Sequence, residues 1–204
     1  MLAGAILNIH ILAPGKMVLV SIQMRLFTGI SLTPNIIERL SSLLKELRPT
    51  ARINWSPVEN LPITLRFIGE WPEDRLPELK AELARVTAEK PIPVTISRFG
   101  YFPNPHRPHS LFAGVQAGPE LASLARATGN DEARGFHPHV TLARIKASSD
   151  VTALRERIAG ISDSDFGSFD IHEFHLYLSQ PGPRGSTYTK LATYDLMREK
   201  NQAQ

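Results

Sequence analysis

The sequence predicts an α+β fold of antiparallel sheets and flanking helices, organised as two pseudo-symmetric halves. Three observations lead to it. Strand-like and helix-like stretches alternate from Met24 onward, several strands follow one another with no helix between them, and one short segment recurs later in the chain. Strands joined without a crossover helix form antiparallel hairpins, which argues against a doubly wound parallel sheet.

The first strand is the β-favouring run Arg25–Ile30, and Thr33-Pro34 opens a helix, threonine as a cap and proline in the first turn. Ile36, Ile37, Leu40, Leu43, Leu44 and Leu47 recur at helical spacing and give that helix one apolar face. Extended stretches follow at Ile53–Trp55 and Ile63–Ile68, and Gly69-Glu70-Trp71-Pro72 reads as a turn into a second helix, Glu73–Ala88. Strands are expected at Ile92–Phe99 and Leu111–Val115, separated by the proline- and histidine-rich loop Phe102–His109, with a third helix at Glu120–Ala127. The second half continues with a strand at Val140–Ile145, a helix at Asp150–Ile161, and two strands, Phe169–Leu178 and Thr187–Leu196, turning near Gly182.

With 42% apolar residues, the 204-residue chain can bury a substantial core. It contains no cysteine, which rules out disulfides, a thiol nucleophile and cysteine-ligated metals and fits a reducing, cytoplasmic setting. A formal charge of +3 is compatible with a polyanionic partner without demanding one. Residues 1–23 are apolar but lack the basic start of a signal peptide; a short membrane-seeking stretch, an extra strand and an N-terminal extension of uncertain role ahead of a domain at 24–197 are the open readings, and the extension is favoured. Residues 198–204 read as a tail. No membrane association is expected, and a monomer is.

The recurring segment carries the chemistry. Leu61-Pro62-Ile63-Thr64-Leu65-Arg66 resembles Pro138-His139-Val140-Thr141-Leu142-Ala143-Arg144, at an offset of 77 residues (139 − 62). On a strand, residues i and i+2 share a face, so His139 and Thr141 project together while Val140 and Leu142 enter the core. Pro62 and Thr64 are expected to do likewise.

These residues resemble the two-histidine phosphoesterase superfamily, in its bacterial RNA 2',3'-cyclic phosphodiesterase and 2'-5' RNA ligase branch, whose signature is a pair of H-x-T-x tetrapeptides. The similarity runs from Met24 to about Leu196. It includes Arg25-Leu26-Phe27, Trp55, the run Asn60–Gly69, the run Phe136–Arg144 and Tyr188. The resemblance implies a bilobal fold with a central cleft between two sheets, acting on RNA ends or small nucleotide cyclic phosphates to leave 2'-phosphates. Opening such a ring takes a base to activate water and an acid to protonate the departing ribose oxygen, roles that imidazole fills near neutral pH. The resemblance assigns His139 to proton transfer, and Thr64 and Thr141 to the non-bridging phosphate oxygens. The scheme calls for no cofactor and no metal.

The sequence departs from the family pattern at one place. The first motif calls for histidine at position 62, and this chain has Pro62. Proline cannot transfer a proton, so impaired turnover is expected, and a protein that keeps the phosphate cleft without catalysis is the alternative. Proline also lacks a ladder donor, which predicts a strand beginning at Ile63. His106, His109 and His137 are the histidines that could replace the missing one. Arg66, Arg144 and Tyr188 are candidate substrate contacts, the arginines as charge-assisted donors, or salt-bridged at the surface, and the tyrosine as a stacking ring. Trp55 could stack likewise, whereas Phe27 reads as core. His172 and His175, three apart on one expected strand, face opposite sides and share no metal site.

Overall fold

The computed structural model describes residues 22–131, 135–161, 164–182 and 185–197. Its elements in chain order are β1 (Gln23–Ile30), α1 (Pro34–Leu47), β2 (Asn54–Trp55), β3 (Ile63–Pro72), α2 (Leu76–Leu83), β4 (Ile92–Phe102) and β5 (Ser110–Ala117). They continue with α3 (Pro119–Ala127), β6 (His139–Arg144), α4 (Thr152–Ala159), β7 (Asp165–Ile171), β8 (Glu173–Gln180) and β9 (Thr187–Asp195). The expected extension, apart from residues 22 and 23, and the expected tail lie outside the described residues.

Every described strand pairing is antiparallel, and the strands run in the order β7-β4-β5-β6-β3-β1-β8-β9, with β2 on β6. The two expected sheets are thus one sheet in two halves, β3-β1-β8-β9 and β6-β5-β4-β7. A single register pair, Ile63 with Val140, joins them. One pair leaves a narrow waist, so the halves curl into two lobes instead of continuing as a wide twisted sheet.

Helices lock the lobes together. α1 follows β1 of the first lobe yet packs on β7 of the second, where the Ile36 side chain lies over Gly167. α3 follows β5 of the second lobe and packs behind β3 of the first. Leu40, Leu44 and Leu47 of α1 are fully buried, as the apolar stripe requires.

Three expectations are corrected. The second helix ends at Leu83 and not Ala88, because Arg85 and Val86 donate to carbonyls only three residues back, which tightens the last turn and swings Val86 into the core. The expected strand Phe169–Leu178 is two strands, since the chain crosses from one lobe to the other at His172, whose carbonyl accepts from Leu196. No turn residue marks that crossing. His172 and His175 therefore do not share a strand; His175 is buried in β8 and bonded through Nδ1 to Thr193 Oγ1 at 3.0 Å.

Candidate active site

Pro62 ends the loop before β3, and the strand begins at Ile63, as a residue without an N–H donor dictates. The pairing of Ile63 with Val140 brings the two repeats side by side. Ile63, Leu65, Val140 and Leu142 are buried, and Thr64 and Thr141 turn the other way, into a cleft of about 480 Å³ that both line. Gly29 sits across from Thr64; a Cβ there would come within 2.8 Å of the Ile63 carbonyl, so glycine lets β1 approach the repeat closely.

Each repeat contains the same irregularity. Leu65 has no cross-strand partner on β1, and Leu142 has none on β5. These bulges lie 77 residues apart (142 − 65). An extra residue reverses the strand's alternation, so Phe67 and Arg144 return to the cleft while Arg66 and Ala143 face away from it. The carbonyls freed by the bulges find partners outside the ladder: Leu65 accepts from Asn130 Nδ2 at 2.6 Å, and Leu142 from the Ser56 backbone at 2.9 Å. Ser56 Oγ also donates to the Thr141 carbonyl at 2.8 Å.

Of the expected site residues, Pro62, Thr64, Thr141, Arg144 and Tyr188 line the cleft. Arg66 does not. Its guanidinium lies over Gly129 and donates to the Thr128 carbonyl at 2.6 Å, behind the sheet, because simple alternation fails at the bulge. Residues given no site role from sequence also line the cleft, among them Arg25 and the exposed Phe67. The repeat offset contained the signal for Phe67, which stands where the second repeat has Arg144. With Arg25 and Arg144 and no carboxylate among the described residues of its lining, the cleft suits an anion. Its first-lobe wall is aromatic: Phe27 stacks on Tyr177 at 4.8 Å and meets Tyr188 edge-on at 4.8 Å. Phe27 is nearly fully buried, as expected of a core residue, although it forms part of the cleft floor. Trp55 also lines the cleft, its indole N–H donating to the Ala51 carbonyl at 3.2 Å.

His139 opens β6 on the same strand face as Thr141, with its ring against Phe102 and Phe112 at 4.9 and 5.3 Å. It stands beside the cleft and is not part of its lining. Nδ1 lies 2.7 Å from the His137 carbonyl, an acceptor, so Nδ1 carries the proton and the neutral ring keeps its lone pair on Nε2. Burial holds His139 below the ordinary histidine range; the His137 carbonyl pulls upward, and the charges of Arg144 and His137 pull down again. At neutral pH the ring is therefore a base. His106 and His109 lie in the loop between β4 and β5, and neither they nor His137 lines the cleft.

A curled antiparallel sheet in two repeat-related halves, with paired threonines facing an anion-suited cleft, defines a phosphoesterase of the bilobal class. A family model described as LigT like Phosphoesterase matches residues 30–112. An RNA 2',3'-cyclic phosphodiesterase of Archaeoglobus fulgidus is 30% identical over 179 residues, 84% of this chain and all of that protein. One of the same name from Thermus thermophilus is 32% identical over 200 residues, 89% of this chain and 94% of that one. Among solved structures, E. coli LigT complexed with 3'-AMP superposes with a TM-score of 0.68 at 29% identity, covering 86% of this chain and 99% of that one. The chain belongs to the RNA 2',3'-cyclic phosphodiesterase family of LigT-like phosphoesterases.

Proposed function

We propose that this chain binds RNA ends bearing a 2',3'-cyclic phosphate and opens the ring to a 2'-phosphate, at a rate cut by the absence of a proton donor at position 62. The observation that carries the reading is the antiparallel register of Ile63 with Val140, which brings Thr64 toward His139 and Pro62 toward Thr141, with Pro62, Thr64 and Thr141 in the lining of one cleft and His139 beside it. The names of the relatives and the 3'-AMP complex of E. coli LigT support the substrate class.

In this mechanism His139 Nε2 takes a proton from water as the water oxygen attacks phosphorus. The Thr64 and Thr141 hydroxyls donate to the non-bridging oxygens, whose charge grows in the transition state, and Arg144 and Arg25 add positive potential. The bond from phosphorus to the 3' oxygen breaks, and the departing alkoxide needs a proton. Pro62 offers none, so solvent must supply it. Losing one positioned acid typically costs about 10²–10⁴-fold. In 2'-5' ligation a 5' hydroxyl would take the place of water as the nucleophile, the same bond to the 3' oxygen would break, and the same penalty would apply.

Single-turnover cleavage of a short RNA with a 2',3'-cyclic phosphate end tests the reading. Pro62→His should raise the rate by orders of magnitude and His139→Ala should abolish what remains; indifference to both changes would sink the assignment. A second reading, favoured by Pro62 itself, is a protein that holds phosphate ends without turning them over. Tight binding with no cleavage in the unaltered chain would select it.

A further inference from the structure

A second depression, of about 390 Å³, lies on the second lobe, lined by Arg98, Phe99, Phe102, Phe112, Gln116 and His137 among others. Its position follows from β6 and the residues leading into it. His137 and Pro138 line this depression, Thr141 and Arg144 line the cleft, and His139 sits between them on the chain. Phe102 and Phe112, stacked on each other at 4.3 Å, touch the His139 ring and also wall the depression. A chain leaving the cleft past His139 would arrive here.

Two features suit this place to a nucleotide. Its lining combines half-buried aromatic rings with the Arg98 cation and contains no carboxylate among the described residues. Base stacking on aromatic rings beside a cation is how single strands are held without sequence preference. The second feature is backbone strain. Arg98 is the bulge residue of β4 and has a φ of 61°, the only left-handed backbone at a non-glycine residue among those described. Its N–H donates to the Ser164 carbonyl at 2.9 Å. A glycine would hold that conformation at lower cost, so keeping a strained arginine at the rim points to a use for its guanidinium.

We propose that this depression is a subsite for the nucleotide preceding the cyclic end, its base against the aromatic rings and its phosphate beside Arg98. The inference rests on the cleft holding the terminal phosphate. It makes the protein a reader of RNA strands, with the terminal nucleotide alone engaging only half of the binding surface.

The test is equilibrium binding, by calorimetry on the full chain, of a nucleoside 2'-phosphate and of a dinucleotide ending in the same 2'-phosphate. The dinucleotide should bind about tenfold tighter, the order expected of one stacked base. Arg98→Gly suits the backbone, and Gln116→Glu puts a negative charge on an exposed rim position. Each should erase that gain and leave mononucleotide binding unchanged. Equal affinity of the unaltered chain for the two ligands, or a gain that survives both substitutions, would overturn the subsite while leaving the cleft reading intact. Failure of the mononucleotide to bind at all would overturn the cleft reading, and the subsite with it.

Discussion

Ile63 and Val140 are register partners across the waist of the sheet and are also each other's equivalents in the internal repeat. A residue that pairs with its own repeat-mate marks a local two-fold axis. Everything near that axis is therefore duplicated at an offset of 77 residues: Thr64 with Thr141, the bulge at Leu65 with that at Leu142, and Pro62 with His139. The duplication stops where chemistry would need it to continue.

The missing partner at position 62 should appear as a steep dependence on the leaving group. Aryl phosphodiesters, whose phenolate departs without a proton, should be cleaved by the unaltered chain much faster than ribose cyclic phosphates. Pro62→His should narrow that gap by about 10²–10⁴-fold by accelerating the ribose substrate alone. A rate series over substituted phenyl esters reads this directly; equal slopes for the two proteins would contradict the assignment of the lost group as the acid.

Activity should fall on the acid side only. His139 must be neutral to accept a proton, and burial lowers its pKa, so the rate should stay flat above the ordinary histidine range and drop at a pH below about 6.5. Pro62→His adds a group that must be protonated, and its profile should become bell-shaped. A bell-shaped profile in the unaltered chain would reveal a second titrating group.

Arg144 and Arg66 should separate cleanly. Arg144→Ala should weaken phosphate binding, because that side chain lines the cleft, whereas Arg66→Ala should leave binding unchanged and lower stability by about 1 kcal/mol through its bond to the Thr128 carbonyl. Phosphate titration and urea unfolding of the two variants decide the matter.

Asn130 should act on catalysis through the strand it braces. Asn130→Ala leaves the Leu65 carbonyl of the bulge without its side-chain partner, at a cost of about 1 kcal/mol, and should lower turnover on cyclic phosphate by loosening Thr64. Asn130→Asp, which cannot donate when ionised, should not restore it. Unchanged turnover in a less stable protein would limit Asn130 to a structural role.

Stability should decline in mild acid. Burial, reinforced by Lys190, pulls His175 down to about 4, and the solvent-exposed Glu173 carboxylate 3.5 Å away does not reverse this. The unfolded chain binds this proton near 6.5, so between pH 6.5 and 4 it gains protons that the folded state refuses, and folding free energy falls. Each tenfold difference in proton affinity is worth about 1.4 kcal/mol. Urea unfolding at pH 7 and pH 5 should show the loss, and His175→Gln should flatten it.

The sequence by itself determined the antiparallel α+β class, the repeat, the first helix and the paired threonines, because these rest on local periodicity and on residue types with few alternatives. Pro62 even announced where β3 begins, since a residue without an N–H cannot join the ladder. The tertiary structure decided what depends on contacts between distant segments. The bulges at Leu65 and Leu142 exist only in relation to β1 and β5, and they turned Arg66 out of the cleft and Phe67 into it. The lobe crossing at His172 has no turn residue to announce it. Whether two half-sheets stand apart or meet at one residue pair is settled by packing, and that single pair, Ile63 with Val140, set the geometry of the site.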